Sequence, residues 1–432
     1  MPMKYDLLIL NGTVVTSKGR DNADIAIHDG QIAEIAPCLS SRQADNVVDA
    51  TDLFVLPGLI DAHVHFRDPG LTHKEDFATG SLSARYGGIT YAVDMPNVNP
   101  VTSTAQRLRD RIALSQLHSC IELGFFALLT ADNLEEMEPM KAAGAVGYKI
   151  YLGTSVGNIA APPDGVMLEQ FRRAADLDMR IGFHAENNAI NEHFTNKLRQ
   201  QGCCDADALI DARPDFSEVE AVAKAIAFAR ETGAKIHIYH VSTAKAVELI
   251  RQAKASGVDV TGETCPQYLF LSRKDYSRLG TVMKVFPTIK QESDRLALWD
   301  GLRDGTLEMI ATDHAPHTAE EKSGDIWSAM GGMAGVEISA RLMLDAVNRA
   351  QLTLEEVAAL MSENPARIWN LSGRGCIRAG CPANLTLVDM DYRAEIRNSH
   401  LHGKSNNTGF DGVTTTGAPV MSVIDGILYK LV

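Results

Sequence analysis

Leu59-Ile60-Asp61-Ala62-His63-Val64-His65-Phe66 decides how the fold is read, because it is a strand-length apolar run that ends in two imidazoles. The pattern recurs along the chain. Further candidate strands fall at residues 89–94, 121–130, 146–152, 180–186, 235–241, 258–263 and 308–313. Helical patterns separate most of them, for example at 217–232, 244–256 and 292–303. Eight short strands interleaved with helices predict an α/β protein whose centre is a (β/α)8 barrel of the TIM type. Residues 336–350 and 353–361 read as additional helices after the eighth strand.

The two ends of the chain read differently. Residues 5–16 and 23–36 are rich in Ile, Leu and Val, and Asp29-Gly30 interrupts the second run as a hairpin turn. Near the other end, 384–390 reads as a strand, and 420–424 and 427–431 flank Asp425-Gly426. Neither end can close a sandwich alone. Residues 1–55 and 371–432 are therefore expected to pair into one small β-sandwich domain, with a barrel of residues 56–370 inserted between them.

Composition bounds the partners. The 432 residues are 45% apolar and carry 41 basic against 55 acidic groups, a net charge of −14. Such a chain buries a large core, which excludes disorder and fibrous folds. It lacks the dense Lys/Arg that nucleic acid or an anionic membrane requires as main partner. No apolar stretch approaches a membrane span, and Leu7-Leu8-Ile9-Leu10 is too short for a signal peptide. The seven cysteines (38, 120, 203, 204, 265, 376 and 381) are scattered without a C-x-x-C pair. Neither a disulfide framework nor a zinc knuckle is expected, and the expected compartment is a reducing cytoplasm.

Polar residues at the ends of buried strands call for a reason. His63 and His65 stand two apart, so both rings face one side of a strand, as two ligands of one metal must. Lys149, His184, His240 and Asp313 end the predicted fourth, fifth, sixth and eighth strands. That rim is where barrels of this kind build active sites. Four imidazoles and a carboxylate suit zinc or a similar divalent ion better than calcium or magnesium. Lysine repels cations unless carbon dioxide converts its amine to a carbamate, which can bridge two metals; the alternative is an ordinary lysine paired with Asp or Glu.

The segment Leu56-Pro57-Gly58-Leu59-Ile60-Asp61-Ala62-His63-Val64-His65 resembles the opening signature of the amidohydrolase superfamily, and the resemblance covers essentially the whole chain. Within it the chain is similar to the cyclic amidohydrolases: dihydroorotase, hydantoinase, dihydropyrimidinase and allantoinase. The resemblance implies two zinc ions, one held by His63, His65 and Asp313, the other by His184 and His240, with carboxylated Lys149 between them. His65-Phe66-Arg67-Asp68-Pro69-Gly70 is similar to the H-x-R-x-P-G segment of dihydroorotases. Asn97 in Met95-Pro96-Asn97 and His317 in Asp313-His314-Ala315-Pro316-His317 match residues that, with Arg67, contact the substrate carboxylate in that family. An arginine two positions past a ligand is also expected to share its strand face, and its planar fork suits a carboxylate. Gly331-Gly332, Gly335-Val336-Glu337 and the stretch from Lys404 to Gly412 resemble dihydroorotase segments too, with Gly409 in place of proline.

Two departures concern the ring. Lys284-Val285-Phe286-Pro287-Thr288-Ile289-Lys290 has Phe and Lys where many bacterial dihydroorotases have Asn and Arg. Lys149-Ile150-Tyr151 and Glu263-Thr264-Cys265-Pro266-Gln267-Tyr268 are shared with hydantoinase-like enzymes. The leading expectation is a dihydroorotase of pyrimidine biosynthesis, in which Asp313 takes a proton from the attacking water and passes it to the ring nitrogen. A hydantoinase-, dihydropyrimidinase- or allantoinase-like hydrolase is the alternative, and a non-catalytic homologue the third. Loops 153–165 and 314–332 are expected as lids, and a homodimer or higher homo-oligomer fits the exposed edges and helices.

Overall fold

The computed structural model describes residues 4–153 and 159–432. Eight parallel strands form the barrel: β1 (Leu59–Val64), β2 (Ile89–Asp94), β3 (Glu122–Leu128), β4 (Gly147–Tyr151), β5 (Ile181–His184), β6 (Ile236–Ile238), β7 (Val260–Thr264) and β8 (Met309–Ile310). Each pairs with the next, and the Val64–His314 bridge with His65 N–H donating to His314 O at 2.8 Å brings the ends together. β1, β2 and β4 are buried at every position rather than at alternate ones, as strands covered on both faces must be. The covering helices start at side-chain caps. Asp76 accepts from Thr79 N–H ahead of Phe77–Tyr86, and Thr243 accepts from Ala246 N–H ahead of Ala244–Ala255. In Asp215–Thr232, Ala221, Val222, Ala225, Ile226 and Ala229 form the buried stripe.

Most strands are shorter than their apolar runs suggest, three of them in a way that shapes the barrel mouth. β1 stops at Val64, β6 at Ile238 and β8 at Ile310. Arg67, His240 and Asp313 then adopt left-handed backbone (φ 63°, 39° and 48°), which no ladder tolerates and which turns their side chains over the barrel mouth. The opposite mouth is plugged. Trp369 lies against Phe126 at 4.6 Å and parallel to Tyr239 at 6.0 Å between centroids. A Cβ on Gly182 would collide with the Tyr239 ring, so only glycine admits that plug.

The β sandwich has two sheets. The four-stranded sheet is wholly N-terminal (Tyr5–Leu10, Asp24–His28, Gln31–Ala36, Ala44–Asp49). The six-stranded sheet joins Thr13–Thr16, Gly19–Asn22 and Phe54–Pro57 to Leu385–Glu395, Thr414–Ile424 and Ile427–Lys430. Leu7, Ile25 and Ile27 from one sheet share a core with Val55, Leu385 and Val423 from the other. Cys376 and Cys381 are joined by a disulfide beside that core, contrary to the expectation from cysteine spacing. Their spacing resembles no metal motif, and it is the turn between them that brings the thiols together.

The stretch between Glu395 and Thr414 leaves the sandwich and returns to the barrel mouth. Ser405 Oγ donates to Lys74 O at 2.8 Å, and Asn407 Nδ2 donates to His317 O at 3.1 Å. Of the two expected lids, residues 154–158 of the first lie outside the described residues. The second is stapled: Lys322 Nζ donates to the carbonyls of Lys284, Met330 and Gly332, and Trp327 Nε1 donates to Cys203 O. No helix of the described residues is long and apolar enough to cross a membrane.

Candidate metal centre

β1 carries His63 inside the strand and His65 one residue beyond it, with ring centroids 5.4 Å apart. Their Nε2 atoms lie 3.2 and 3.0 Å from the same oxygen of Asp313. The outer nitrogens are engaged elsewhere. His63 Nδ1 meets the Glu263 carboxyl, and His65 Nδ1 lies 2.8 Å from Asn97 Oδ1. Hydrogens on both Nδ1 atoms leave Nε2 lone pairs facing Asp313. Burial first, then nearby cations (Lys149 for His63; Arg67 and Lys149 for His65), hold both rings far below their ordinary pKa, so they are neutral, as metal ligands must be.

His184, at the end of β5, and His240, two residues past β6, form the second half. His184 Nδ1 and His240 Nε2 are 2.9 Å apart. His184 Nε2 donates to Glu186 at 2.9 Å, and Glu186 is clasped by Arg213 through Nε at 3.0 Å and through Nη2. Desolvation would raise Glu186, but Arg213 and His184 outweigh it and hold the carboxyl well below the usual range. An ionised Glu186 keeps the hydrogen on His184 Nε2, so Nδ1 points at His240 unprotonated. His63 and His240 are 5.4 Å apart between centroids, which brings the two halves into one cluster.

Lys149 stands in β4 beneath both halves. Its Nζ is buried, has no hydrogen-bond partner, and sits 3.6 Å from the centroid of the Tyr239 ring. No carboxylate of the described residues pairs with it, so the ordinary ion-paired lysine is not what this geometry offers. Desolvation pushes its amine down to about 7, against the pull of Glu263 and Asp313. A neutral amine is the form that attacks carbon dioxide. Desolvation likewise pushes the Asp313 carboxyl up to about 7, opposed by Lys149, His184 and Arg67. The inward lone pairs of His63, His65 and His184, the Asp313 carboxyl and the orphaned amine of Lys149 are a donor set that fits divalent cations.

All six residues line one cavity of about 330 Å³, together with Arg67 and Asn97. Arg67 is 1% exposed. Its Nε donates to Pro316 O at 3.4 Å, its Nη2 lies 3.3 Å from His317 Nε2, and its Nη1 has no partner. It reaches the cavity by the left-handed turn after β1, not by strand alternation as the two-residue spacing suggested. Asn97 lines the wall with its Oδ1 turned to His65. His317 does not line the cavity; it is buried behind Arg67. Phe286, under the Arg213 guanidinium at 3.8 Å, and Trp327 with Met330 make the apolar wall.

Several supporting groups escaped the sequence reading: Glu263, Glu186, Arg213 and Lys74. Glu263 and Glu186 did carry a signal, since each is an acid within or just past an apolar strand. Arg213 and Lys74 come from loops and carried none.

Residues 54–428 match the Amidohydrolase family. The dihydroorotase of Lactiplantibacillus plantarum is 35% identical over 429 residues, 98% of this chain and 97% of the relative. The allantoinase of Deinococcus radiodurans is 35% identical over 390 residues, 89% and 87% of the two chains. The solved L-hydantoinase (dihydropyrimidinase) of Arthrobacter aurescens superimposes with a TM-score of 0.96 at 33% identity, covering 98% of this chain and 96% of that one.

Proposed function

The chain belongs to the amidohydrolase family, in its cyclic-amide branch, and on that premise we propose that it interconverts dihydroorotate and N-carbamoyl-aspartate. Relatives named for three different rings leave the substrate to the pocket. One observation carries the reading: Arg67 is a buried guanidinium on the cavity wall, with an unpartnered Nη1 and no carboxylate of the described residues within ion-pair distance. A buried cation without a counter-ion is costly. A substrate carboxylate supplies that counter-ion, whereas hydantoin, dihydrouracil and allantoin are uncharged rings.

His63, His65 and Asp313, with His184, His240 and a carboxylated Lys149, would hold two divalent cations, taken as zinc from the donor set. When bound, such ions polarise the scissile carbonyl and make water acidic enough to supply a nucleophile near neutral pH. In forming the carbamate, Lys149 Nζ bonds to the carbon of CO2 and releases its proton. Arg67 fixes the ring through its carboxylate, which turns the amide toward Asp313. Asp313 shares Oδ1 with the two histidines, receives the proton of the attacking water, and returns it to the departing ring nitrogen. In ring closure the same atoms work in reverse.

A second reading has its own support. The wall of Phe286, Trp327 and Met330 suits an apolar substituent on a five-membered ring, as in a substituted hydantoin. Turnover of dihydroorotate, hydantoin, a substituted hydantoin, dihydrouracil and allantoin by the zinc-loaded protein decides between them. The highest kcat/KM is expected for dihydroorotate. Faster opening of an uncharged ring overturns the proposal.

A further inference from the structure

His317 has more hydrogen-bond partners than a neutral imidazole can satisfy at once. Its Nδ1 lies 3.2 Å from Lys74 Nζ and 3.2 Å from Glu321 Oε2. Its Nε2 lies 3.1 Å from Gly331 O and 3.3 Å from Arg67 Nη2. Each nitrogen therefore faces one donor and one acceptor. Lys74 and Glu321 are themselves paired at 2.9 Å, and Lys74 and His317 are 4% and 1% exposed.

Only two arrangements of a neutral ring satisfy a partner at each end. With the hydrogen on Nδ1, the ring donates to Glu321 and its Nε2 accepts from Arg67, tying up Nη2. With the hydrogen on Nε2, the ring donates to Gly331 O and its Nδ1 accepts from Lys74. Arg67 then faces an N–H, and both Nη1 and Nη2 are released toward the cavity. The second arrangement makes Arg67 a two-pronged receptor for a planar anion, and the first leaves it one-pronged.

We infer that Lys74 is a positioning residue that selects the Nε2–H form of His317 and so sets Arg67 to receive a carboxylate. Glu321 opposes it by favouring the Nδ1–H form. The segment after Glu395 braces the pair, since Ser405 holds the carbonyl of Lys74 and Asn407 that of His317. The inference rests on Arg67 as the anion receptor, and it assigns a role to Lys74 and Glu321, which do not line the cavity.

The test is nitrogen-15 NMR of histidine-labelled protein without substrate, with the His317 signals assigned by their loss in His317→Gln. The wild type is expected to carry its hydrogen on Nε2, Lys74→Met to move population to Nδ1–H, and Glu321→Gln to move none there. In kinetics with dihydroorotate, Lys74→Met is expected to raise KM about tenfold while kcat falls less than about threefold, and Glu321→Gln to leave KM unchanged or lower. General damage to the loop would move both variants the same way. An Nδ1–H wild type, or an Nε2–H population indifferent to Lys74→Met, overturns the inference. Should the protein prove not to use carboxylated rings, the substrate reading fails while the NMR result still decides what Lys74 does.

Discussion

Replacing Arg67 with methionine removes the guanidinium while keeping most of the buried volume. In the presence of a carboxylated ring, the loss is that of one or two charge-assisted hydrogen bonds, from Nη1 and, when released by His317, Nη2. At about 1.5–3 kcal/mol for each bond to a charged partner, a central loss of about 3 kcal/mol lowers kcat/KM for dihydroorotate roughly 150-fold. An uncharged ring makes no such pair, so kcat/KM for hydantoin is expected to fall by less than about threefold. The folded state responds in the opposite sense. Arg67 is buried without a carboxylate partner among the described residues, so removing its charge relieves a desolvation cost. The variant should melt no lower than the wild type. Steady-state assays on the two substrates and one thermal melt measure all of this. Equal losses on charged and uncharged rings, or a clear drop in melting temperature, would show that Arg67 is a structural brace and refute the reasoning.

Other consequences can be measured on the same protein. Lys149→Ala should cut the bound metal from about two ions per chain and abolish turnover, with partial recovery when a small carboxylate such as propionate is added; metal analysis and assay read both effects. Glu263→Gln takes the carboxyl partner from His63 Nδ1, and metal affinity is expected to fall about 10–100-fold in a chelator competition. Prolonged chelation of the wild type should remove activity and lower the melting temperature, both restored by zinc. Trp299→Ala, which empties a site 2% exposed and loses the bond from Nε1 to Leu269 O, should cost about 3–5 kcal/mol in urea unfolding.

The barrel was legible because most of the eight strands announce themselves as apolar runs between helical patterns, and β2 has the bounds that the pattern predicts. The cluster was legible because buried imidazoles, an amine and a carboxylate at strand ends have no cheap structural explanation. What could not be read is backbone conformation. His240 and Asp313 look like strand residues and are instead left-handed turns, and Arg67 reaches the cavity by the same device. Partnership across long separations was also hidden. Nothing local to Lys74 indicates that it meets His317, 243 residues away. The grouping of the ends into a sandwich followed from their composition; residues 404–412 stood out only by their resemblance to a dihydroorotase segment, and nothing in them told of their excursion back to the barrel mouth.

That excursion bears on how the protein is made. The bond from Ser405 to the Lys74 carbonyl joins residues 331 apart, and Phe54–Pro57 lies in its sheet against Leu385–Glu395. At about 5–20 residues per second on the ribosome, the earlier partners wait tens of seconds for the later ones. Until then Phe54–Pro57 is an open edge able to recruit a neighbouring nascent chain, and Lys74 and His317 lack their clamp. The clamp on Lys74 and His317 therefore forms only after the residues that follow Glu395 have been made.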